Sequence, residues 1–151
     1  MDHHAFWLNW FGLGGREVGS PKRFYMESPE AFPPFIDRCA ADRLPCFCSI
    51  QPYRAYDQPA GLEKLFFDFD WKQGPPDLDK VWGDVRGLCE RLQRMNLEPL
   101  IVRTFRGFHI YVFLWRIVEF ELKHLDLAKQ VYRSLQQSIL HEESYGTLDS
   151  A

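Results

Sequence analysis

Leu78, Val81, Trp82, Val85, Leu88, Cys89, Leu92 and Met95 recur at intervals of three and four, the period of one face of a helix. Lys80, Asp84, Arg91 and Arg94 fall on the opposite side, so this segment is expected to be an amphipathic helix with one buried stripe. Leu125, Ala128, Val131, Tyr132, Leu135 and Ile139 predict a second helix of the same kind. Residues 64–70 form the strongest strand, Leu65-Phe66-Phe67-Asp68-Phe69-Asp70, which stops at the breakers Gly74-Pro75-Pro76. Segments 99–105 and 108–115 are apolar and are separated only by Arg106-Gly107, the mark of a tight hairpin. Residues 46–52 read as a short strand. Ser28-Pro29-Glu30 resembles a helix start, with Pro33-Pro34 delaying the regular part to residues 35–42. Thr147-Leu148-Asp149 suggests the beginning of a last strand. The order β, β, α, β, β, α and the start of a further β predicts an α+β fold, with helices packed on one face of a mostly antiparallel sheet.

A length of 151 residues with 46% hydrophobic and 26% charged residues fits one globular domain spanning 1–151. The N-terminus lacks a basic leader, and its apolar stretch is broken at Asn9, Gly12, Gly14 and Gly15. No secretory signal or membrane span is therefore expected. Cys39, Cys46, Cys48 and Cys89 match neither paired zinc spacing nor a disulfide framework, and are expected to be reduced core or near-core thiols of a cytoplasmic protein. The net charge of -3 argues against gripping nucleic acid through a general positive field. Any such contact must be local, drawing on arginines such as Arg54, Arg103 and Arg106. Phe6, Trp7, Trp10 and Phe11 could stack on bases, but large rings more often bury against a core, here through a terminal strand or hairpin.

Side chains alternate faces along a strand, so Asp68 and Asp70 project together while Phe67 and Phe69 project the other way. Two carboxylates about 7 Å apart along a strand, backed by apolar residues, repel each other unless a cation sits between them. Mg²⁺ or Mn²⁺ prefers such hard oxygen ligands. The same D-x-D pattern equally suits a strand end whose carboxylates are solvated or paired with arginine. In the hairpin, His109, Tyr111 and Phe113 share a face, and the turn offers Thr104, Arg106 and a glycine that lets backbone approach a ligand. A histidine, an arginine and a hydroxyl around a glycine turn make a candidate triphosphate cradle. Taken singly, His109 is more often structural.

These segments resemble the archaeo-eukaryotic primase superfamily. Its first motif, an apolar strand ending in D-x-D or D-x-E, is matched by residues 65–70; its second, S-G-x-G-x-H before an apolar strand, by Thr104-Phe105-Arg106-Gly107-Phe108-His109; its third, an apolar pair and an aspartate, by Thr147-Leu148-Asp149. The resemblance runs in order from Ser49 to Asp149, and Thr104 and Phe105 replace the usual Ser-Gly. It implies a catalytic core like an RNA-recognition-motif sheet, here without the C-terminal part of the family core. It also implies a metal centre of Asp68, Asp70 and Asp149 for Mg²⁺ or Mn²⁺, with His109 and, beside it, Arg106 and Thr104 on the incoming nucleotide. The implied activity is that of a DNA primase or primase-polymerase: nucleotidyl transfer from an NTP or dNTP to a 3′-hydroxyl on a DNA template. A replicative helicase or a second primase subunit would be its protein partner. Three alternatives remain beside it: a gap-filling or end-joining polymerase of the same superfamily, a catalytically silent nucleotide- or nucleic-acid-binding module, and a purely structural domain whose motif matches are accidental. Because Asp149 falls in the last three residues, fraying there is expected to leave these residues a poor synthetase by themselves.

Overall fold

The computed structural model describes Asp2, Trp10, residues 14–140 and residues 145–149, and has an α+β architecture with antiparallel sheets. Where composition suggests one domain, the residues group into two compact units, Met1–Glu63 with Arg116–Ala128, and Lys64–Trp115 with Lys129–Ala151. The expected sheet is likewise three separate ones among the described residues.

In the first unit, strand β1 (Arg16–Gly19) lies between β2 (Arg23–Met26) and β3 (Phe47–Cys48), antiparallel to both. All of β1 is buried, including Arg16 and Glu17. Burying those charges demands partners. Arg16 Nη2 meets Glu63 Oε2 at 2.5 Å and donates to the Trp10 carbonyl at 3.0 Å, while Glu17 Oε2 accepts the Asp57 N–H at 3.0 Å. Trp10 is buried, in line with a core role; Phe6, Trp7 and Phe11 lie outside the described residues. Helix α1 (Phe32–Ala41) follows a 3-10 turn at Pro29–Ala31 and begins earlier than the prolines suggest. Pro33 and Pro34 occupy its first turn, where a missing N–H costs no hydrogen bond. Strands β4 (Tyr53–Ala55) and β5 (Gln58–Pro59) pair as a separate hairpin. All four cysteines are free thiols; Cys39 and Cys89 are buried and Cys48 half-buried, whereas Cys46 is exposed, outside the core expected for it.

The second unit is built on β7 (Leu100–Arg103) and on those parts of β6 (Gly61–Asp70) and β8 (Gly107–Glu119) that fall within residues 64–115, in the order β6-β8-β7. Helices α2 (Leu78–Arg94) and α3 (Leu125–Leu140) lie where the periodicities predict, although Trp82 and Met95 of the first stripe and Val131 and Leu135 of the second are exposed. Asp77 caps α2, its carboxylate accepting the Lys80 N–H at 3.3 Å. Leu65, Phe67 and Phe69 pack with Val81, Val85, Leu88, Leu92 and Ile139 in one core, together with Ile110 and Val112 of β8. The alternate residues Phe66, Asp68 and Asp70 are only half-buried, as strand periodicity requires.

β7 and β8 are antiparallel, with Arg103 opposite Phe108 and Val102 opposite His109. The turn is thus wider than Arg106-Gly107. Thr104 closes it, its N–H donating to the Gly107 carbonyl at 2.9 Å and its hydroxyl oxygen accepting the Gly107 N–H at 3.0 Å. The outer edge of β6 is satisfied from two sources. Tyr132 Oη accepts the Phe66 N–H at 2.9 Å and Gln136 Nε2 donates to the Phe66 carbonyl at 2.6 Å, both from α3. Further along, Leu148 bridges Phe69 antiparallel, with Asp70 N–H donating to the Thr147 carbonyl at 2.9 Å and Asp149 N–H to the Asp68 carbonyl at 2.8 Å. The last three-residue motif is therefore tied into the sheet rather than frayed.

Candidate functional site

Strand pairing explains how distant residues meet. The bridge between Phe69 and Leu148 sets Asp149 opposite Asp68 on β6, and opposed residues share a sheet face. Carboxylate oxygens of Asp68, Asp70 and Asp149 all lie within 4.8 Å of one another. The bridging segment is anchored from α2, where Asp84 Oδ2 accepts from the Thr147 N–H at 3.0 Å and the Thr147 hydroxyl at 2.6 Å. Tyr145 adds an apolar anchor, its ring edge-on to Phe69 at 5.9 Å.

His109 enters from β8. A Cβ on Gly107 would sit 1.7 Å from the Phe69 carbonyl oxygen, so only glycine lets β8 start this close to β6. The approach that Gly107 permits is thus to β6 itself. Two residues on, His109 Nε2 stands 3.5 Å from Asp68 Oδ1, while Nδ1 lies 3.0 Å from the Tyr111 hydroxyl. Phe66 packs edge-on to the His109 ring at 5.1 Å and stacks on Tyr111 at 5.2 Å, which fixes the imidazole's orientation.

Asp68 is the electrostatic centre. Its Oδ1 is sealed from solvent and has no hydrogen-bond partner among the described residues, since His109 Nε2 stands at 3.5 Å, beyond good hydrogen-bond geometry. Burial pushes the Asp68 carboxyl above its ordinary pKa; His109 pulls it down, Asp70 and Asp149 push it up, and Lys72 opposes them. Lys72 Nζ meets Asp149 Oδ1 at 2.6 Å, with both side chains about half exposed. Chemically, three convergent carboxylates form a hard-oxygen donor set suited to a divalent cation.

The other expected residues are engaged elsewhere. Arg106 Nε donates to the Trp71 carbonyl at 2.9 Å and Nη2 to the Gly74 carbonyl at 3.1 Å, so its guanidinium clamps the chain leaving β6. Thr104 serves its own turn. Sequence reasoning missed Lys72, although it continues the every-second-residue series of Asp68 and Asp70, and it missed Asp84, which reads as one of the polar residues of an amphipathic helix. No family model, curated protein or solved structure matches this chain.

Proposed function

We propose that Asp68, Asp70 and Asp149 hold Mg²⁺ or Mn²⁺ and that the chain is a primase or primase-polymerase catalytic domain, transferring a nucleotidyl group from an NTP or dNTP to a 3′-hydroxyl. The observation that carries this reading is the meeting of Asp149 with Asp68 and Asp70. Asp149 was singled out solely by likeness to a third motif, far along the chain, and pairing across the β6 edge sets it among the first two carboxylates. The buried, unpartnered Asp68 Oδ1 is a second support, because a cation would satisfy it. The succession β6, α2, β7, β8, α3 and the bridging residues, with those residues beside β6 in the order bridge-β6-β8-β7, agrees with an RNA-recognition-motif-like core.

The residues divide the work. Bound divalent ions would activate the 3′-hydroxyl and neutralise the leaving pyrophosphate. Asp68 and Asp70, fixed on one strand, set two ligand positions at a rigid spacing. Asp149 completes the set through backbone hydrogen bonds, so its placement needs no long flexible side chain. His109, held by Phe66 and Tyr111, offers an oriented ring nitrogen beside the cluster that can donate to a phosphate oxygen.

The test has two arms. Calorimetric titration with Mn²⁺ should give binding by the parent chain that falls sharply in Asp70→Asn, and equal titrations would refute the metal centre. Template-dependent nucleotide incorporation with Mg²⁺ or Mn²⁺, controlled by Asp68→Asn, then asks for synthesis: metal binding without incorporation would instead favour the silent binding module.

A further inference from the structure

We infer that Lys72 is a mobile counter-charge of the carboxylate cluster: it occupies the cluster while metal is absent and becomes the phosphate-binding cation once metal is present. This rests on the metal-centre reading above. A triphosphate brought to three carboxylates needs protein cations, and the residue expected to supply one, Arg106, holds the Trp71 and Gly74 carbonyls instead. Lys72 stands in the right place. Its ammonium is 2.6 Å from Asp149 Oδ1, and it follows Asp70 by two residues just beyond the end of β6.

Two features make the lysine a movable partner. Its side chain is 50% exposed and that of Asp149 43%, so their pair is weak and exchanges readily with water. A lysine is also a flexible point charge on a long stem, whereas Arg106 is fixed by two directed hydrogen bonds. A divalent ion among Asp68, Asp70 and Asp149 takes over the neutralisation of Asp149. The displaced ammonium, still tethered two residues from Asp70, is then within reach of any phosphate bound to that ion.

The inference makes two effects of one substitution run in opposite directions. Lys72→Ala removes a competitor for Asp149, so Mn²⁺ alone should bind about two- to five-fold more tightly, the worth of an exposed ion pair. The same variant should bind ATP in saturating Mn²⁺ about tenfold more weakly, having lost a charged phosphate contact. Lys72→Arg, which keeps the charge, should stay closer to the parent in both titrations. A purely structural lysine would move neither affinity in this crossed manner, and thermal melting of Lys72→Ala near that of the parent excludes misfolding as the cause. Unchanged Mn²⁺ affinity, or unchanged ATP affinity, in Lys72→Ala overturns the inference while leaving the metal centre intact. A parent chain that takes up no Mn²⁺ removes the metal centre and this inference with it.

Discussion

Asp68 is a half-buried carboxylate whose Oδ1 is shielded from water and whose nearest acidic neighbours are Asp70 and Asp149. Burial first, then those neighbours, raise its folded-state pKa above that of the unfolded chain. Between the two values the folded chain holds the proton more tightly, so stability from this group is fully present below the unfolded pKa and is lost as pH rises through the folded one. In chelator at neutral pH, Asp68→Asn should therefore melt no lower than the parent, and its advantage should vanish on acidification below the ordinary carboxylate range. Melting of Asp68→Asn well below the parent at neutral pH would contradict this. Gly107 presents the opposite case, a residue whose value lies in what it lacks. Gly107→Ala drives a methyl into the Phe69 carbonyl and should cost about 3 kcal/mol or more, read from urea unfolding. The pairing of Asp68 with Asp70 was legible because strand alternation depends on sequence spacing alone. The engagement of Arg106 was not, since its acceptors are backbone carbonyls that every residue carries.

At the scale of elements, α2 and α3 were readable because each sends residues at helical spacing into the core, Val81, Val85, Leu88 and Leu92 from the first and Tyr132 and Ile139 from the second. Strand β1 was hidden for the converse reason: Arg16 is buried against Glu63, and Glu17 against the Asp57 backbone N–H and the Arg23 guanidinium, so the strand carries charge where a hydrophobic pattern looks for apolar residues. The turn at 104–107 was located but drawn too short, because the Thr104 hydroxyl that closes it is not distinguishable by type from any other loop hydroxyl. The link between α2 and the site is of this hidden kind too. Asp84 stands outside the three convergent carboxylates, yet it holds both polar groups of Thr147 two residues before Asp149. On the proposed reading, Asp84→Ala should lower Mn²⁺ affinity about tenfold or more, as loss of an outer partner does in metal sites. A calorimetric titration identical to the parent's would separate Asp84 from the positioning of Asp149.

For the whole molecule, the two compact units rest on different physics. The second is held by an aliphatic and aromatic core, while the first buries an arginine on the central strand of its three-stranded sheet. Glu63→Ala withdraws the carboxylate facing Arg16 and should cost about 3 to 5 kcal/mol, the penalty of breaking a buried ion pair from one side, as measured by denaturant unfolding. No helix among the described residues is long and apolar enough to cross a membrane. The net charge of -3 includes the carboxylates of the cluster, so charge alone was a poor guide to the site. The edge of β6 carries a last consequence. A sheet border with free N–H and C=O groups invites pairing with a strand of another molecule, and along β6 those groups are occupied by Tyr132, Gln136 and residues 147–149. The closure that brings Asp149 to Asp68 is thus also a guard against self-association. An ion gripping Asp149 fastens that guard, so on the proposed reading light scattering during mild heating should show slower aggregation with Mn²⁺ than with chelator, and no such difference in Asp70→Asn.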